Sequence, residues 1–108
     1  MGILDFRRDP PPGPFELETR GQNGHWVVAV RGEIDLATVG TLEAELARLQ
    51  GKPILLDLSE VSFIDSMGLT LLIRTAGRVT IGSASAAVDS LIRTCGLEGE
   101  LRFASSQM

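Results

Sequence analysis

Phe15, Leu17 and Thr19 alternate with Glu16, Glu18 and Arg20, the period of two expected of a strand with one wet face. Gly21, Gln22, Asn23 and Gly24 supply turn chemistry. The β-branched run from Trp26 to Val30 is then long enough to pair back as a hairpin. Beyond Gly32 the period lengthens: Val39, Leu42, Leu46 and Leu49 lie three or four apart, as on an amphipathic helix. Asp35 or Thr38 can cap its start, Gly51 can end it, and Glu43, Glu45 and Arg48 form its wet face. Ile54 to Leu58, after Pro53, is apolar without alternation, which predicts a central strand buried on both faces. Asp57 within it should reach the sheet edge and bond backbone or water. Met67, Leu69, Leu71, Leu72, Ile73 and Ala76 predict a short buried helix closed by Gly77. Val79 to Ile81 makes a small strand. Val88, Leu91, Ile92 and Cys95 make a last helix ending at Gly96, with Cys95 as buried filler. Leu101 to Phe103 adds an edge strand or packs down.

The order β-β-α-β-α-β-α defines an α/β fold: one domain with a mixed four- to five-stranded sheet packed with about three to four helices. Pro10, Pro11, Pro12 and Pro14 set residues 1–14 apart as a flexible proline-rich tail, leaving 15–108 as the folded unit. At 108 residues there is no room for a second core. Ten Lys and Arg against fourteen Asp and Glu provide no basic stripe for a nucleic-acid backbone. A single cysteine and a single histidine make neither an internal disulfide nor a zinc site, and suit a reducing cytoplasm. No apolar run approaches the roughly 20 residues of a membrane span, and residues 1–14 resemble neither a signal peptide nor a myristoylation motif. Trp26 and His25 read as the start of a strand, with the tryptophan in the core and the histidine solvated.

Candidate chemistry concentrates between Leu56 and Leu69, because sites in α/β sheets form in loops at the carboxyl edge of a central strand. Asp65 and Ser66 stand immediately before a helix. There the Ser66 hydroxyl would lie among free backbone N–H groups at the positive helix end, where a phosphate is tolerated. The plain alternative is a helix N-cap, for which both residue types serve. Gly68 costs about 1 kcal/mol of helix propensity relative to Ala, so its presence implies that a partner or a second helix approaches the backbone closely.

Gly32-Glu33-Ile34-Asp35, Leu56-Asp57-Leu58-Ser59, Phe63-Ile64-Asp65-Ser66-Met67-Gly68-Leu69 and Gly96-Leu97 resemble, in order and spacing, the STAS domain of bacterial anti-sigma factor antagonists over residues 15–103. The resemblance implies a partner-switching protein and not an enzyme. Unphosphorylated, it binds an anti-sigma factor that is also a serine kinase and so releases a sigma factor; phosphorylated, it lets go. By position Ser66 matches the phosphorylated serine, Asp65 the acidic residue before it, and Asp35 the acidic residue after the second strand. Asp35, Asp65, Ser66, Met67, Gly68 and Leu69 are the implied partner-binding set. ATP and magnesium would belong to the kinase, so the chain itself needs no cofactor, and a phosphatase would reset the switch. A cytoplasmic monomer or weak dimer is expected, without nucleic-acid binding or membrane insertion. The sequence departs from the family in one place: Gly77 follows Ser66 so soon that the intervening helix is shorter by roughly two turns.

Two other classes remain at this stage. One is a hydrolase using Ser66 as nucleophile, which lacks a nearby histidine and a G-x-S-x-G elbow. The other is a structural STAS subunit, never phosphorylated, in a lipid-transport or stress-sensing assembly.

Overall fold

Asn23 and Gly24 both sit at positive φ, 47° and 87°. They make a two-residue turn that matches the twist of the strands it joins. Strand β1 (Glu16–Gln22) thereby pairs antiparallel with β2 (His25–Ile34), in register from Glu16 opposite Arg31 to Gln22 opposite His25. This is a computed structural model, and it describes residues 15–49 and 51–104; the proline-rich tail proposed from the sequence lies outside them. Helix α1 (Val39–Arg48) follows, then β3 (Ile54–Ile64), helix α2 (Ser66–Arg74), β4 (Val79–Ala84) and helix α3 (Ala86–Thr94), closed by a 3-10 turn at Glu98–Glu100. The four strands lie in the order β1-β2-β3-β4, with β3 parallel to both neighbours. Residues 102–104 add one parallel bridge outside β4, Phe103 to Ile81, so the fifth strand is a single contact.

All three helices bury their apolar residues against one face of this sheet. Val28, Val30 and Ile34 of β2, and Ile54, Leu56 and Leu58 of β3, form one cluster with Leu42 and Leu46 of α1, Leu69 and Leu72 of α2, and Val88 and Ile92 of α3. The alternate residues Ala29, Leu55 and Asp57 are only half-buried, and Arg31 is exposed. The expectation of a strand buried on both faces is therefore wrong. Leu55 breaks the alternation because it lies over Gly82, whose absent Cβ would fall 3.1 Å from its side chain. Asp57 is likewise not at a sheet edge: it stands on the uncovered face of the central strand, where its carboxylate accepts from the Ser59 N–H at 2.9 Å. Arg31 bridges three strands on that face, donating to Glu16 at 2.8 Å and Glu60 at 2.7 Å. Those bonds, Glu16 first, raise the guanidinium pKa.

Strand β3 also runs on where a loop was expected after Leu58. After one register shift between Ala29 and Arg31, Glu60 to Ile64 pair with Arg31 to Ile34 of β2 with a second between Gly32 and Glu33, while β4 pairs only with Ile54 to Leu58. The overhang is closed on its other side by Ser85. Its N–H donates to the Leu58 carbonyl at 3.1 Å and its hydroxyl to the Val61 carbonyl at 2.6 Å.

Two of the three helix ends differ from expectation. Helix α1 stops at Arg48, before Gly51, and the Arg78 guanidinium donates to the carbonyls of Leu46 and Leu49, satisfying acceptors the last turn leaves open. Helix α2 ends at Thr75, whose hydroxyl donates to Leu71; Gly77 lies beyond. Helix α3 does close at Gly96, at φ 67°, with Leu97 N–H returning to Ile92 and Gly96 N–H to Arg93, the paired bonds of a Schellman end. That ending turns Cys95 outward. The thiol is exposed and is not the core filler the helical spacing suggested. Glu45, assigned to the wet face of α1, instead ties that helix to the sheet, since it accepts from Thr19 at 2.6 Å as well as from Arg48. The Arg48 bond first, then Thr19, holds its carboxyl below the usual range.

Candidate functional site

Ile34 and Ile64 end β2 and β3 as register partners, and the Asp65 N–H donates to the Ile34 carbonyl at 3.1 Å. Asp35 and Asp65, the next residues on each chain segment, therefore leave the sheet side by side at its carboxyl edge. The loop after Asp35 is held by its own hydrogen bonds. Ala37 N–H donates to the Asp35 carboxylate at 3.0 Å, Asp35 N–H donates to the Thr38 hydroxyl at 2.9 Å, and that hydroxyl donates to the Glu33 carbonyl at 2.8 Å. Thr38 is the N-cap residue of α1 but makes no side-chain cap bond; its hydroxyl is spent on this loop.

Asp65, at φ −106° and ψ −174°, is the N-cap of α2. Its carboxylate accepts from the N–H groups of Met67 at 2.9 Å and Gly68 at 3.1 Å. Ser66 is thus the first helical residue and not the cap. Its carbonyl accepts from the Thr70 hydroxyl at 2.8 Å, while its own hydroxyl has no hydrogen-bond partner among the described residues, and the side chain is exposed. This revises the expectation that Ser66 stands among free N–H groups, because Asp65 already holds those of Met67 and Gly68.

Gly68 is buried, and a Cβ there would lie 2.6 Å from Ile64 Cγ1 and 2.8 Å from Ile34 Cγ2. The close approach inferred from sequence is made by the molecule's own sheet. Without a side chain at Gly68, the first turn of α2, which carries Ser66, seats directly on the ends of β2 and β3. Leu69, 5% exposed, points into the core; Met67 is 46% exposed. Of the six residues singled out, Ser66 and Met67 face solvent, Asp35 and Asp65 are half-buried, and Gly68 and Leu69 are inside.

Two residues that the sequence reading did not select stand at the same edge. Leu36, between Asp35 and Ala37, is 74% exposed, and Phe63, next to last in β3, is 47% exposed. Phe63 borders a groove of about 270 Å³ shared with Ser62, Ser90, Leu91 and Thr94. Leu36 had one signal: it is apolar yet falls outside the helical period that begins at Val39.

No Lys, Arg or His occurs from Gly32 to Ala47 or from Val61 to Ile73, so Glu33, Asp35 and Asp65 give the edge an acidic character. His25 begins β2 and lies at the opposite edge, roughly 30 Å away by strand rise. It cannot act on Ser66 from there. Among the described residues no group of three His, Cys, Asp or Glu could hold a metal ion, and no helix is long and apolar enough to cross a membrane.

A family model described as the STAS domain matches residues 16–107. An anti-sigma factor antagonist from Mycobacterium paratuberculosis superposes with a TM-score of 0.77 at 26% identity, over 89% of this chain and 90% of that one. The anti-sigma factor antagonist SpoIIAA in its unphosphorylated form gives 0.61 at 25% identity, over 86% and 90%. The Bacillus cell fate determinant SpoIIAA in the phosphorylated form shares the fold at 0.56 and 24% identity, over 86% and 93%. Comparison with curated proteins finds no match.

Proposed function

The chain belongs to the STAS domain family, and from that premise we propose that it is an anti-sigma factor antagonist switched by phosphorylation of Ser66. Unphosphorylated, it binds an anti-sigma factor with serine kinase activity and so frees a sigma factor. Phosphorylated, it releases that partner, and a phosphatase restores it. The observation that carries the reading is the division of labour at the start of α2: Asp65 performs the capping, so the exposed Ser66 hydroxyl is left available to a kinase. Two solved antagonists with the same fold, at 25% and 26% identity, support the role.

The switch needs no change of fold. A phosphate adds about −1.5 to −2 charge and three acceptor oxygens. At Ser66 that charge would arrive beside Asp65 and near Asp35, on an edge without a cation of its own and with two first-turn donors already taken. The phosphate has little inside the chain to pair with. It projects to the partner surface, where a loss of only about 1.4 kcal/mol lowers affinity tenfold. Asp35, Asp65, Ser66 and Met67 make the direct contacts in this reading, and Gly68 and Leu69 act by seating the helix.

Incubation of the purified chain with candidate anti-sigma kinases, ATP and magnesium, followed by intact mass and peptide mapping across Phe63–Arg74, tests it. One added phosphate on Ser66, absent in Ser66→Ala, is the expected result. A chain that stays unmodified yet binds its partner constitutively would instead be a structural STAS subunit.

A further inference from the structure

We infer that Leu36 is the apolar anchor of the partner-docking surface and that the complementary surface is an apolar pocket rimmed by Lys or Arg side chains. The inference rests on the antagonist reading above and specifies its partner. Four large hydrophobic residues are exposed among the described residues, and three of them, Leu36, Phe63 and Met67, stand at the carboxyl edge of β2 and β3. Scattered exposed apolar side chains are ordinary, whereas three sharing one edge of the sheet mark that edge as a candidate interface.

Among these three Leu36 is the most exposed, at 74%, and it is presented by a loop that is not free to fold it away. Asp35 and Thr38, on either side, are engaged with Ala37 and Glu33 through side-chain hydrogen bonds. A loop whose backbone is held before contact loses less entropy on binding than a free one, which favours a residue at its tip as a hot-spot anchor. Leu36 belongs neither to the core cluster nor to the partly buried residues packed against it, so core burial does not account for its apolar character.

The charge of the rim selects the partner. Glu33, Asp35 and Asp65 lie on the same two segments as the apolar residues, and neither segment carries a cation. A second copy of this edge would meet like charge, while a basic rim would be attracted and would also be the surface a phosphate at Ser66 perturbs.

The test titrates the full chain calorimetrically against each purified anti-sigma factor of its source organism, using wild type, Leu36→Ser, Leu36→Met and, as a remote control, Phe103→Ser. The inference expects Leu36→Ser to weaken binding by about tenfold or more, and Leu36→Met to stay within about threefold. Phe103→Ser should match wild type, and the Leu36 variants should melt as wild type does. If wild type binds and Leu36→Ser binds equally well, the anchor assignment falls while the antagonist reading stands. If wild type binds none of them, both fall. Wild-type affinity that is insensitive to salt between about 50 and 300 mM would overturn the basic rim.

Discussion

Two helices begin at the carboxyl edge of this sheet beside a serine, and the two serines have opposite fates. Ser85 is the N-cap of α3. Its hydroxyl accepts from Val88 N–H at 3.3 Å and donates to the Val61 carbonyl at 2.6 Å, so it is spent on closing the gap where β3 outruns β4. Ser66 follows the cap of α2, and Asp65 does the capping in its place. The difference is one position in the helix. A serine at the cap is structure; a serine one residue later, behind an aspartate, is a hydroxyl held in a fixed place with nothing to do inside the protein.

The sharpest way to break this comparison is phosphotransfer. With the cognate kinase, Ser66→Ala should abolish incorporation while Ser85→Ala retains it, read by intact mass. Phosphate arriving at Ser85 in the native protein would mean that its two hydrogen bonds do not shield it. Ser66→Asp should lose the partner as well, since the edge gains a negative charge without a compensating cation.

The next largest effect concerns what holds Ser66 in place. Gly68→Ala puts a methyl group 2.6 Å from Ile64 and 2.8 Å from Ile34, a contact real side chains avoid. Overpacking of this kind costs about 1–3 kcal/mol, set against the roughly 1 kcal/mol by which Ala outranks Gly in a helix. We expect net destabilisation in urea unfolding, and slower phosphorylation of Ser66 because α2 must lift from the strand ends. A variant as stable as wild type with unchanged phosphorylation would show that the helix has room, and that the seating of α2 is not set by Gly68.

How much of this was legible in the sequence depends on which forces were local. A turn within Gly21–Gly24, a helix opening at Val39 and a last helix ending at Gly96 are short-range signals, and all three appear, the turn narrowed to Asn23-Gly24 because Gly21 and Gln22 join β1. The choice of cap between Asp65 and Ser66 was not legible, because both residue types cap helices and only the extended backbone of Asp65 decides. The continuation of β3 was hidden by Ser59, Glu60 and Ser62. Polar residues are admissible there because this stretch has β2 on one side and the start of α3, not another strand, on the other. Cys95 kept the helical phase of Leu91 but fell at the C-cap, where the chain turns away from the core. Leu36 carries one weak signal, an apolar residue outside the helical period that begins at Val39, and only its 74% exposure gives that signal meaning.

Smaller effects separate the two serines by stability alone. Ser85→Ala removes the cap of α3 and leaves the Val61 carbonyl without its hydroxyl donor. The loss should be about 1–2 kcal/mol in urea unfolding. Asp65→Ala should cost about 1 kcal/mol for the same reason at α2, whereas Asp65→Asn should retain most of the cap, since an amide oxygen accepts as a carboxylate does. If Ser85→Ala were harmless, the 2.6 Å bond to Val61 would not be closing the overhang, and the distinction between the two helix starts would weaken.

Ser66→Ala is the smallest change and the most discriminating. An exposed hydroxyl without an internal partner contributes nothing that alanine lacks, and alanine has the higher helix propensity, so stability should stay within about 0.5 kcal/mol of wild type or rise slightly. The result must be read together with phosphotransfer, because only the combination of full stability and complete loss of modification describes a residue kept for a partner. A loss above about 1 kcal/mol would mean that Ser66 shares the capping with Asp65. Its hydroxyl would then carry a structural load, and phosphorylation would act by loosening the start of α2 in addition to repelling the partner.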